Sequence, residues 1–208
     1  MLHTCTERSD PDPHLASRAA EIVTALSMTV GRGAAARMIA ELADSGPETK
    51  VVDIGCGPGT AVRAAVHRGA VATGVDPSPL MLRLARGISQ VRGMEGIAWL
   101  DGSAENLPLP DGSATVAWAL SSVHHWRDRR AGLAEVHRVL SPGGRVLLAE
   151  RLTRPAATGH AAHGLTPAGA EALATDLERS GFRAVHTETR KAGRRTFVIV
   201  AGTRRPAG

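Results

Sequence analysis

Aromatic residues are nearly missing from this chain, which has three Trp, two Phe and no Tyr in 208 residues. So few rings leave Ala, Val, Leu and Ile to fill the interior, which suits helices packed on a parallel sheet better than an aromatic-rich sandwich. The scarcity also counts against nucleic-acid modules that stack bases on side chains. Cysteine is as sparse. Cys5 and Cys56 are too few and too far apart for a disulfide framework, and without CxxC or a Cys/His quartet no structural zinc is expected. No run approaches the ~18 apolar residues of a membrane span, and the opening MLHTCTERSDPDPH puts acids and prolines where a signal peptide needs an apolar core. A soluble, cytoplasmic protein is the expectation. Lysine occurs only at positions 50 and 191, so the net charge of +5 is carried by arginine. Spread diffusely, it reads as surface composition more than as the footprint of a polyanion.

What is present is a single-domain length with an α/β rhythm. A chain of this size buries roughly 70% of its unfolded surface, enough for one proper core. After a polar, Pro-containing start, Leu15, Ala19, Ile22, Val23 and Leu26 recur at helical spacing up to about Met28, and Gly31 and Gly33 break the pattern. A second helix is predicted from about Ala34 to Ala43. Short apolar runs then alternate with helical segments. The runs are Lys50 to Ile54, Ala70 to Val75, Ile97 to Leu100, Thr115 to Leu120, Arg145 to Glu150, Phe182 to Thr187 and Thr196 to Ala201. Helices are predicted between them at about Thr60 to Arg68, Pro79 to Gln90, Arg129 to Leu140 and Pro167 to Ser180. Alternation of this kind predicts a Rossmann-like three-layer sandwich, a seven-stranded, mostly parallel sheet with helices on both faces. The link from Glu188 to Arg195 is too short for a parallel crossover, so the last strand should be antiparallel. Residues 1–48 form a tail and helical cap in this reading, and 49–208 form the main domain.

The most informative stretch is Val51-Val52-Asp53-Ile54-Gly55-Cys56-Gly57-Pro58-Gly59, an apolar strand bearing an acid, then three glycines in five residues, then a helix. Glycines let the backbone bend tightly and approach a ligand with no Cβ in the way. Spacing narrows the ligand. A dinucleotide loop needs GxGxxG, yet Thr60 holds the third position and Gly59 falls one place early; a P-loop needs a lysine that is missing here. The Asp53 carboxylate disfavours phosphate nearby and favours a cation or ammonium group. Asp76 ends the second strand 21 residues after Gly55, where a carboxylate accepts ribose hydroxyls. The turn Asp101-Gly102-Ser103-Ala104-Glu105 after the third run is placed to meet a base. Together these features fit an adenosine that carries a sulfonium amino acid.

With those residues in view, the chain resembles the class I S-adenosylmethionine-dependent methyltransferases, and is similar to the small-molecule type acting in ubiquinone and menaquinone biosynthesis. The likeness runs from about Lys50 to Ala201. Its motifs stand in family order as VVDIGCGPG (51–59), GVDPSPLML (74–82), GSAENLPLPDGS (102–113), SSVHHW (121–126) and LAEVHRVLSPGGRVLLAE (133–150). The resemblance implies S-adenosylmethionine as cofactor, with Asp53, Gly55, Cys56 and Gly57 at its methionine moiety and Asp76, beside Pro77, on its ribose. Met81 would pack on the adenine, Ser103, Ala104 and Glu105 would face the adenine edge, and Ala119 would meet the amino acid end. Two positions depart from the pattern: Ser103 and Thr115 stand where the family often has Asp.

Methyl transfer from a sulfonium is an in-line displacement, and holding nucleophile, methyl carbon and sulfur in a row does much of the work. A hydroxyl acceptor also needs a base. His124 and His125, just after the fourth strand, have side chains that titrate near neutrality and are the candidate catalytic residues. Trp126 either walls the acceptor pocket or covers the helix that Asp128 caps. His160 and His163 lie in the long segment after the fifth strand, but no acid cluster matches a metal-dependent pattern, so no metal site is expected. With little sequence left for a cap, the N-terminal helices are the expected lid over a small, apolar acceptor site that is either open or closed by a second subunit. The alternatives are an RNA methyltransferase, suggested by the Arg-rich C-terminal segment, and a cofactor-binding protein without catalysis. SSVHHW is not the Pro-Pro-aromatic motif used on exocyclic nucleobase amines, so a nucleic-acid partner is disfavoured.

Overall fold

A computed structural model of the chain describes residues 32–154 and 163–206. The helix expected near 14–28 lies outside these residues, as do Cys5 and His160. The described chain opens with α1 (32–42). There follow β1 (Lys50–Ile54), α2 (Thr60–His67), β2 (Val71–Asp76), α3 (Pro79–Val91), β3 (Ala98–Asp101) and β4 (Ala114–Leu120). A 3-10 turn (Val123–His125) precedes α4 (Arg129–Val139), β5 (Leu140–Arg151), α5 (Pro167–Arg179), β6 (Phe182–Ala192) and β7 (Arg195–Arg204). The seven strands form one sheet in the order β3-β2-β1-β4-β5-β7-β6. The pairs among β1 to β5 are parallel, and β7 runs antiparallel to both its neighbours.

Period-two alternation sorts the sheet's side chains onto its faces. Val51, Val116, Trp118, Leu120 and Leu147 bury one face together with Ile39 of α1, Val62 of α2 and Leu82 of α3. Val52, Ala117, Ala119 and Leu148 bury the other together with Leu133 of α4 and Leu173 of α5. Three layers result. Because Ala35, Ile39 and Ala43 belong to the core of the sheet, the core extends across the boundary expected at residue 48. An Arg145 guanidinium N–H bonded to the Ala43 carbonyl ties the end of this helix to β5. The family-typical Asp at the start of β4 is replaced here by Thr115, whose Oγ1 accepts from the Lys50 amide at 2.9 Å and so stitches β4 to β1.

Two elements differ from expectation. β5 starts at Leu140 and not at Arg145, because Leu140 pairs with Ala114; the register then shifts across Ser141 to Gly144, where Gly143 turns to φ 77°. The predicted eight-residue link before β7 is only the turn Gly193-Arg194, with Gly193 at φ 61°, the positive angle a tight hairpin needs at such a position. Side-chain caps match the sequence signals. Ser78, Asp128 and Thr166 each accept from an amide three residues on, at the starts of α3, α4 and α5. Among the described residues no helix is long and apolar enough to cross a membrane.

Replacing Leu133, which is fully buried, with Ala should cost about 2–5 kcal/mol by lost transfer energy plus cavity. Val91→Ala, at a site 90% exposed, should stay within about 0.5 kcal/mol. Urea unfolding of both variants measures the contrast.

Candidate active site

The parallel strands β1 and β4 diverge into different connections at their C-terminal ends, and ligands of open α/β sheets bind at such a point. The glycine loop fills one side of this crevice. The amides of Gly55 and Cys56 both donate to the Val75 carbonyl, at 2.8 and 3.0 Å. Gly57 then turns its amide to Asp76, whose Oδ2 accepts at 2.7 Å while Oδ1 accepts from the Ser78 amide at 2.9 Å. One carboxylate thereby joins the turns after β1 and β2. Gly55 has φ 71°, and a Cβ there would lie 2.6 Å from the Ser122 Cβ. At Gly59, φ 78°, a Cβ would overlap the Trp99 ring. Gly57 is the opposite case, since a Cβ there meets nothing within 4 Å. The loop is therefore supported from below by Trp99 and open above Gly57.

Beneath the loop Asp53 is only 2% exposed, and among the described residues its Oδ1 has no hydrogen-bond partner. Burial raises its pKa to about 7; the indole N–H of Trp118, its register partner on β4, opposes this without completing a well-formed hydrogen bond, Asp76 adds to the rise, and Arg32 offsets part of it. Arg32 reaches this site from the start of α1. It lines a small cavity with Asp53, Gly55, Cys56 and Leu120. Burial lowers its pKa, with Glu150 and then Asp53 acting the other way. The Cys56 thiol, buried in the same wall, is pushed well up by desolvation and by Asp53 and Asp76, so it is a protonated lining group.

The far side of the crevice is made by the turn after β4. Ser121 adopts φ 55°, unusual for a residue with a Cβ, and its amide donates to Ala149 at 2.8 Å. Such outliers gather at functional turns. Ser122 Oγ donates to the Ile54 carbonyl at 2.6 Å, pinning this turn to β1. The 3-10 turn then presents His124 and His125, with ring centroids 3.9 Å apart. His124 Nδ1 lies 2.9 Å from Oε2 of Glu150. Glu150 is fully buried, and its Oε1 has no hydrogen-bond partner among the described residues. Desolvation lowers the His125 pKa, and His124 and His163 lower it further. An imidazole held on a buried carboxylate through Nδ1 leaves Nε2 to accept a proton.

Several sequence-derived residues meet here and others do not. Asp53, Gly55, Cys56, Gly57 and Asp76 line one wall or underlie it. Met81 is half-buried in the first turn of α3, and Pro77 is exposed beside Asp76. Ser103 is half-buried and bridges to Asn106. The side chain of Ala119 points away from the crevice. It is fully buried on the face packed by α4 and α5, and alternation along β4 gives Leu120 to the pocket instead. Ala104 likewise turns its side chain into that second core cluster. The carboxylate of Glu105 is engaged with the backbone, where Oε1 accepts from the amides of Arg127 and Asp128 at 2.7 and 3.2 Å. Trp126 lies on α4, where a Cβ at Gly132 would stand 2.6 Å from its ring, so the covering role fits. Arg32, Trp99, Leu120 and Ser122 were not singled out from sequence. Only Arg32 had a local signal, a lone basic residue between two helix-breaking glycines.

Comparison with known proteins agrees with this geometry. The model of the methyltransferase domain family matches residues 52–148. Among curated relatives, uncharacterized methyltransferase YcgJ of Bacillus subtilis is 34% identical over 113 residues, 54% of this chain and 45% of that protein. The 27-O-demethylrifamycin SV methyltransferase of Amycolatopsis mediterranei is 34% identical over 134 residues, 64% of this chain and 46% of that one. The chain spans about half the length of such relatives. In fold it is similar to a chain from the complex between the Haloferax volcanii Trm112 methyltransferase activator and a methyltransferase, with TM-score 0.77, 19% identity and coverage of 95% of this chain and 100% of that one. Residues 52–148 are thus similar to a methyltransferase domain, and solved structures of the same fold include an S-adenosylmethionine-dependent methyltransferase. The cofactor that goes with this domain is S-adenosylmethionine. The residues are compatible with it, since among the described residues Asp53 Oδ1 is buried without a hydrogen-bond partner, as a group that could receive an ammonium would be, and a Cβ at Gly57 would meet nothing within 4 Å.

The raised pKa of Asp53 sets a pH dependence. An unfolded Asp titrates near ~3.9, so between about pH 4 and 7 the folded ligand-free protein holds the extra proton and loses stability as pH rises. Thermal unfolding across pH 4 to 8 should show this decline in the wild type, and Asp53→Asn should flatten it.

Proposed function

We propose that this chain is a methyltransferase that moves the methyl group of S-adenosylmethionine onto the hydroxyl oxygen of a small, largely apolar acceptor. The observation that carries this reading is the His124–Glu150 pair, 2.9 Å apart at the end of β5. It stands one strand away from Leu120 and the cavity of Asp53 and Gly55, because Leu120 is the register partner of Ala149. A sulfonium supplies a methyl group that is displaced in line as a nucleophile arrives on the opposite face.

The chain's own residues then divide the work. Asp53 and Arg32 offer opposite charges to the ammonium and carboxylate of the methionine end. Asp76 accepts ribose hydroxyls while holding the Gly57 amide in place. Met81 lies against the base, with Ser103 at its edge. Glu150 keeps Nδ1 of His124 protonated and orients the ring, so Nε2 takes the acceptor's proton as the oxygen gains its methyl group. A neutral amine or a carbanion needs no such base, which favours a hydroxyl. The rifamycin-acting relative is named for a 27-O position, and this supports an oxygen acceptor.

Calorimetry with S-adenosylmethionine and S-adenosylhomocysteine, followed by turnover on a panel of phenols, enols and alcohols, tests the reading. Both cofactor forms should bind, and failure of both to bind overturns it. Asp76→Ala should weaken binding by about 1–3 kcal/mol through loss of charge-assisted bonds, and Arg32→Ala should weaken it by a similar amount. His124→Ala should keep cofactor affinity and lower kcat by ~100-fold or more. Undiminished turnover by that variant would remove His124 as the base.

A further inference from the structure

The rings of His124, His125 and His163 gather at the rim of the crevice, with one ring nitrogen of each within 4.8 Å of the others. Ring centroids are 5.6 Å apart for His124 and His163 and 6.2 Å apart for His125 and His163. Sequence reading did not anticipate this cluster, because 37 residues separate His125 from His163. The backbone brings His163 across. Leu152 and Leu165 form a bridge in which the Thr153 amide donates to the Leu165 carbonyl at 2.8 Å and the Leu165 amide donates to Arg151 at 2.9 Å. Gly164 has φ 146°, and a Cβ there would collide with the Arg151 carbonyl. His163 is thus fixed two residues from a two-hydrogen-bond closure, opposite the turn that Ser122 pins.

We infer that His124, His125 and His163 form a binding site for a first-row divalent transition-metal ion of the zinc type. Imidazole nitrogens suit Zn²⁺, Co²⁺, Ni²⁺ and Cu²⁺, and a cluster with no oxygen ligand among the described residues disfavours Mg²⁺ and Ca²⁺. Three nitrogens at ~2.1 Å from one tetrahedral ion lie about 3.4 Å from each other. His125 and His163 are exposed, so small rotations of their rings close the remaining distance. Metal-bound histidines donate their second nitrogen to a carboxylate or carbonyl that orients them. Glu150 already occupies that place on Nδ1 of His124, which leaves Nε2 for the ion. The buried Glu150 charge also offsets the nearby Arg32. Three ligands leave a fourth position for water or a ligand oxygen, as in open zinc sites.

The inference goes beyond methyl transfer and shares one atom with it. A bound ion takes the same His124 lone pair that a base needs, so metal occupancy and proton removal by His124 exclude each other. Titration of tag-free full-length protein with Zn²⁺ by calorimetry, and with Co²⁺ by visible absorption, tests the site. One ion per chain and a tetrahedral Co²⁺ band are expected. His125→Ala and His163→Ala should each weaken Zn²⁺ binding tenfold or more, whereas His137→Ala should not. Glu150→Gln should weaken it by ~10- to 100-fold if the variant folds, and the two exposed-histidine variants decide the matter if it does not. Octahedral Co²⁺ spectra, or equal affinity in His125→Ala, His163→Ala and wild type, would overturn the proposal. S-adenosylhomocysteine affinity, measured on the same samples, should be unchanged in His163→Ala. Its loss in the wild type would count against the methyltransferase reading and leave the metal result standing.

Discussion

The bond from the Gly57 amide to the Asp76 carboxylate is the contact on which the crevice is organised. It ties the turn after β1 to the turn after β2, and the other Asp76 oxygen caps the next turn through Ser78. A carboxylate that is 7% exposed and also faces Asp101 is expensive to keep charged. Burial and that neighbour raise its pKa, and the two amides act against the rise. The loop and the acid therefore stabilise each other. Where the first glycine turn goes, the acid of the second strand follows, and with it the proposed ribose site.

Charge in the interior of this site is arranged so that no group is fully neutralised by the protein. Among the described residues Asp53 lacks a partner for one oxygen and Glu150 lacks one for Oε1, and Arg32 interacts electrostatically with both acids. In a core this would count as a defect, because unpaired buried polar atoms cost more than paired ones return. At a binding crevice it is preorganisation. In the proposed reading a zwitterionic ligand would make good the deficit with its ammonium and carboxylate, so part of the binding free energy would come from removing a penalty that the ligand-free protein carries.

Much of this was legible in the sequence where signals are local. The strand-glycine-helix turn, the acid ending β2, the Asp128 cap and the antiparallel end of the sheet each depend on a few adjacent residues and were read correctly. Less was legible where parity or long-range closure decides. Ala119 and Leu120 are adjacent and both apolar, so composition does not say which one points at a ligand; the sheet's pleat does. Glu105 sits in a turn that suggested a ligand contact, but the free amides of Arg127 and Asp128, 22 and 23 residues on, claim its carboxylate. His163 is meaningless in one dimension, and the Leu152–Leu165 bridge brings it to His124 and His125. Arg32 reaches the crevice only because α1 packs into the same core as β1 and β4.

The strict alternation along β4 has an evolutionary consequence. A single-residue insertion or deletion in that strand would exchange Trp118 and Leu120 with Ala117 and Ala119, and so turn the pocket wall and the packed interior inside out together. Drift in length is thus closed to the strand. It remains open to the segments that follow β4 and β5, and descendants of this chain can take up new acceptors there without rebuilding the framework that holds the cofactor.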